Sequence, residues 1–164
     1  MCKKDREENN GKKTRCNGFD QYFLKRFRYV EEGPSADLTT EAYGSTLEEA
    51  FSNTALAMFN AITHLSGVEK LDSWTVKVEG DDVELLLYNF LDELLYIHDT
   101  NLVVFSDVKV LLDQKKIHLT AKCRGEVFDL QKHDQGIAIK AVTFHQMNIE
   151  KREDCWIIRV VFDT

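Results

Sequence analysis

The sequence predicts an α+β domain, with two helices packed on a largely antiparallel β-sheet in a single unit. Three observations carry this. Two long amphipathic stretches fall in the first half of the chain. Alternating, β-branched stretches precede, separate and follow them. The later strands come in pairs joined by short turns rather than by helices. At 164 residues, 43% of them hydrophobic with ten Phe and two Trp, the chain can bury one full core and is too short to favour two.

Residues 1–22 are polar, Lys/Asn/Glu-rich and without period, and are expected to be a disordered basic tail. The globular domain is expected over 23–164. FRYVEE (27–32) has the pattern of a strand that Gly33-Pro34 would break, and LTTEAYG (38–44) that of a second ending at Gly44. STLEEAFSNTALAMFNAITHLSG then opens a helix. Ser45 with Glu48 has capping-box spacing, reinforced by Thr46 with Glu49. Leu47, Phe51, Ala55, Met58, Ile62 and Leu65 share one face, and Gly67 is the expected stop.

WTVKVEG (74–80) alternates as a strand. DDVELLLYNFLDELLYIHD (81–99) is the second helix, with Asp81 and Asp82 favouring its positive end. The remainder is β. Residues 101–113 and 115–129 meet at Asp113-Gln114-Lys115, while 136–151 and 154–164 meet at Arg152-Glu153.

Charge is uneven. Residues 1–28 carry nine Lys/Arg and four Asp/Glu, a local +5; with −7 on the whole chain, the rest carries −12. An acidic body is poorly suited to gripping nucleic acid, so direct RNA binding is expected to be weak or absent. No stretch reaches the roughly 18 apolar residues of a membrane span, and the start has no apolar core of a secretory signal. Cys2, Cys16, Cys123 and Cys155 are scattered, without zinc-ligand spacing. Reduced thiols in a cytoplasmic or nuclear protein are expected.

Chemistry is sparse. GxxxxGK[ST], GxGxxG and GxSxG are all absent. The five histidines are dispersed, and Cys123 with His118 on one strand would point to opposite faces. Carboxylates remain. Asp37 precedes a strand, and Asp163 with the Thr164 terminus ends the last one. If first and last strands lie side by side, these oxygens converge, and hard cations prefer such sites. A turn or capping role for Asp37 and a plain tail at Asp163-Thr164 remain open from spacing alone.

Several segments together resemble the archease family: SADLTTEAYGSTLEEAF (35–51), ALAMFNAIT (55–63), GDDVELLLYNFLDELLY (80–96), GEVFDLQKHDQG (125–136), KAVTFHQM (140–147) and VVFDT (160–164). They run from about Tyr29 to the end. The resemblance implies a non-enzymatic activator of the GTP-dependent, RtcB-type tRNA-splicing RNA ligase, one that promotes its guanylylation and repeated turnover. It also implies a divalent cation, calcium first with Mg²⁺ or Mn²⁺ as alternatives, held by Asp37, Asp163 and Thr164. Pro34 stands where the family has a histidine. Lys140, Thr143 and His145 are candidates for partner contact. The alternatives are a general chaperone-like adaptor and a metal-dependent hydrolase.

Overall fold

The computed structural model describes residues 25–31, 37–115 and 117–164. The expected tail and the Gly33-Pro34 breaker lie outside them. The elements in order are β1 (Phe27–Val30), β2 (Leu38–Gly44), α1 (Leu47–Ile62), β3 (Asp72–Glu79), α2 (Val83–Asn101), β4 (Val103–Asp113), β5 (His118–Val127), β6 (Ala141–Arg152) and β7 (Cys155–Asp163). A single 3-10 turn at Leu65–Gly67 follows α1.

The α+β class is as expected, and the strands divide into two antiparallel sheets. One has the order β1-β2-β7-β6 and the other β3-β5-β4. Helix α1 packs against β2 and β7 on one side and β4 on the other, while α2 packs against β6 and β3. This explains why α1 is buried on nearly every side, polar Asn53 and Thr54 included. Asn53 Nδ2 donates to the Tyr43 carbonyl at 2.7 Å, and Thr54 Oγ1 to Ala50 O at 2.8 Å, so neither buried group goes unsatisfied. Phe51, Phe59, Phe90, Phe105 and Phe162 fill the core. The Phe59 and Phe105 rings meet edge to face at 5.2 Å.

Helix ends differ from the sequence expectation in instructive ways. Thr46, not Ser45, caps α1: its hydroxyl accepts from Glu49 N at 3.1 Å, while Glu49 reaches back to Ser45 N at 2.7 Å. The helix stops at Ile62 rather than Gly67, because Thr63 is extended. Its last carbonyls are taken by a distant segment: Gly136 N donates to Ile62 O at 2.9 Å and Ile137 N to Ala61 O at 2.7 Å. A Cβ on Gly136 would lie 2.2 Å from Ala61 O, so only glycine permits this approach. In α2, Asp82 is the cap, accepting from Leu85 N at 2.7 Å.

Candidate metal and partner site

Strand register decides which termini meet. In the β2–β7 ladder Thr39 pairs with Val161 and Leu38 with Phe162. Carried one residue further, that register sets Asp37 across from Asp163. On the other side of β7, Ala141 pairs with Asp163, and one further step sets Lys140 across from Thr164. Lys140 N donates to Asp163 O at 2.8 Å, and Lys140 Nζ to Thr164 O at 3.3 Å.

Direct cross-strand partners point to the same side of a sheet, with Cβ atoms about 4.5–5.5 Å apart. Val160, Val161 and Phe162 of β7 are all buried, and Asp163 at the strand's end is exposed. Among the described residues, Asp37, Lys140, Asp163 and Thr164 all fall at this end of the sheet. Hard oxygen donors of this kind fit a divalent cation of the calcium or magnesium class. Among the described residues, no three His, Cys, Asp or Glu side chains group around a possible ion.

The other candidates separate. Lys140 is exposed at this corner. Thr143 is half-buried, and its hydroxyl donates to Val161 O at 2.9 Å within the sheet. His145 is exposed in a bulge, where pairing jumps between Thr143 and Asn148 and Gln146 takes φ 53°. A simple alternation along β6 therefore fails: Val142 is buried, but Phe144 on the same expected side is 53% exposed and stacks on Tyr88 at 4.2 Å.

Sequence reasoning missed a second polar cluster. Glu126, buried at the end of β5, accepts from Glu69 N (2.6 Å), Lys132 Nζ (2.8 and 2.7 Å) and His133 Nε2 (3.1 Å). His133 Nδ1 accepts from Asp129 N at 2.9 Å, so the Nε2–H tautomer satisfies both ring contacts. Burial disfavours the Glu126 charge, yet the Lys132, Glu69 and His133 donors outweigh it and hold the carboxyl down at about 2. The cluster clamps the 128–136 loop, whose end caps α1. Its only sequence signal is a buried-type acid six and seven residues before a Lys-His pair, which matches no helical or strand period. Cys123 is no nucleophile: burial and the nearby Asp107 charge push its thiol up to about 12.

The profile of the archease protein family matches residues 27–164. This chain belongs to the archease family. It is 46% identical over 143 residues to the protein archease of Pyrococcus furiosus, covering 85% of this chain and 99% of that one. With the archease of Methanothermobacter thermautotrophicus it shares 43% over 142 residues at the same coverage. Among solved structures, the solution structure of protein 1598 of Methanobacterium thermoautotrophicum superposes with a TM-score of 0.75 at 40% identity, covering 85% of this chain and 99% of that one. The crystal structure of a Thermotoga maritima archease, described as a possible chaperone, reaches 0.57 at 18% identity over 84% of this archease chain and 100% of its own, a likeness of fold.

Proposed function

We propose that this archease is an accessory protein that activates a GTP-dependent, RtcB-type RNA ligase in tRNA splicing, acting in the cytoplasm or nucleus without being an enzyme itself. The observation that carries the reading is the pairing of β2 with β7, which ends at Leu38–Phe162 and leaves Asp37 and Asp163 as the next residue on each strand. Two outward carboxylates on a rigid sheet form an incomplete shell, suited to sharing a cation with another protein rather than enclosing one.

A divalent ion, calcium first and Mg²⁺ or Mn²⁺ otherwise, would be held by Asp37, Asp163 and the Thr164 terminus, and would supply positive charge for phosphate oxygens. Asp37 and Asp163 orient and balance that charge. Lys140 stands at the rim, where its ammonium donates to Thr164 O at 3.3 Å. The absence of a nucleotide loop from the sequence and the inert Cys123 thiol support a helper role. The test is transfer of GMP from GTP onto a matched ligase, with and without the archease. A faster and more complete transfer supports the reading, and an unchanged time course refutes it.

A second reading, a more general chaperone-like adaptor, is favoured by one observation. Leu102, Val127 and Leu130 are each more than half exposed and line one open groove beside the 128–132 loop. One dominant ligase in a pull-down separates the first reading from many unrelated clients in the second.

A further inference from the structure

A cleft of about 240 Å³ opens where β1, the end of α1 and the 134–137 segment meet. Leu38, the residue after Asp37 in the chain, forms one wall. Its polar groups fall into two sets. Tyr29 OH donates to Ala57 O at 2.9 Å and accepts from Asn60 Nδ2 at 3.0 Å, and Asn60 Oδ1 accepts from Leu65 N. These are engaged already.

The second set is not. Thr63 is 1% exposed, and its Oγ1 has no hydrogen-bond partner. A buried hydroxyl in that condition is costly, and it lines the cleft. Above it, Asp134 and Gln135 are exposed and make no side-chain hydrogen bond or ion pair among the described residues.

We propose that this cleft receives a cationic side chain, an arginine, from a protein partner. The open groups can all accept: the Thr63 hydroxyl oxygen, the Asp134 carboxylate and the Gln135 amide oxygen. A guanidinium has donors only, arranged in a planar fork that can serve several acceptors at once. Tyr29, Leu38 and Ile137 line the same cleft, and an aromatic ring with apolar neighbours suits a guanidinium and its aliphatic stem. An anion would meet Asp134, and an apolar group would leave the Thr63 hydroxyl unsatisfied. The volume is below that of ordinary small-molecule pockets and suits one long side chain. The body beyond residue 28 carries −12, which favours basic partners over acidic ones. This inference extends the docking role proposed for the Asp37 corner.

The test is ¹⁵N–¹H NMR of the full chain titrated with Nα-acetyl-arginine amide, and in parallel with its neutral citrulline counterpart. Saturable shifts at Tyr29, Asn60–His64 and Asp134–Ile137 with arginine alone are expected. Asp134→Asn should weaken that binding about tenfold and Thr63→Val severalfold, each in a chain whose other resonances stay in place. Silence at the cleft, or equal shifts with citrulline, overturns the proposal. A matched ligase separates the two ideas. Should it fail to bind or be activated while the arginine shifts persist, the ligase reading falls and the cleft stands. If the ligase is activated but Asp134→Asn leaves its affinity unchanged, the cleft is not its docking point and the proposal falls.

Discussion

Leu38 pairs with Phe162 at the end of the β2–β7 ladder, so Asp37 and Asp163 are the next residues beyond that last pair. The chain segments bearing them are 126 positions apart in sequence, yet a single antiparallel register brings them to one corner. Removing one carboxylate should therefore act locally. Asp163→Asn is expected to keep the thermal midpoint of the wild type within a few degrees, because the side chain is exposed. It should weaken binding of Ca²⁺ or Mn²⁺ measured by calorimetry.

Lys140 gives the opposite sign. Its ammonium lies 3.3 Å from Thr164 O, a resident positive charge at the corner. Lys140→Met should tighten divalent-ion binding by about three- to tenfold at low salt, an effect that shrinks as ionic strength rises. If binding weakens instead, the lysine is not a competitor for the carboxylates.

The Glu126 clamp predicts an acid limb. Its carboxyl is lowered from 4.5 to about 2 in the folded chain, so the unfolded chain takes up the proton first. The contribution to stability is complete above about pH 4.5 and is lost as pH falls from there toward 2. Urea unfolding across this window should be steeper in pH for wild type than for Glu126→Gln. The variant should be less stable than wild type at pH 7, where the carboxylate's partners Lys132 and His133 lose their charged acceptor.

Gly136→Ala should destabilise the fold by about 1–3 kcal/mol, measured by chemical denaturation. The added methyl would lie 2.2 Å from Ala61 O, and relieving that clash pulls Gly136 N and Ile137 N from the carbonyls they cap. Hydrogen exchange should then rise at Gly136 and Ile137 before it rises in the sheets.

Cys123 should resist iodoacetamide at pH 8 in the folded protein and react after denaturation, as read by peptide mass mapping. Its side chain is fully buried and its thiol is raised to about 12.

Local patterns in the sequence were sufficient for the helices and strand pairs. Asp82 before an apolar period, and Thr46 three residues ahead of Glu49, are short-range signals that the structure honours. What depends on distant chain was not legible. The sequence points to Gly67 as the stop of α1, because nothing near Ile62 breaks a helix; the terminating contacts come from Gly136 and Ile137. The bulge after Thr143 and the splitting of the strands into two sheets likewise arise from packing, which leaves no period in the sequence. Asp37 and Asp163 drew notice as carboxylates at strand ends, but only pairing of β2 with β7 puts them opposite each other. Glu126 with Lys132 and His133 passed unseen, since a loop closing back on its own strand has no repeat to detect.

The role proposed for the carboxylate corner is activation of a ligase. Its most direct test is multiple-turnover RNA ligation by a purified RtcB-type ligase from the same organism, with GTP and Mn²⁺ or Mg²⁺. Four reactions are compared: no archease, wild type, and folded Asp37→Ala and Asp163→Ala variants. The account predicts that wild type sustains many turnovers, while both variants fall to the level of the ligase alone. Variants that accelerate ligation as well as wild type would contradict it.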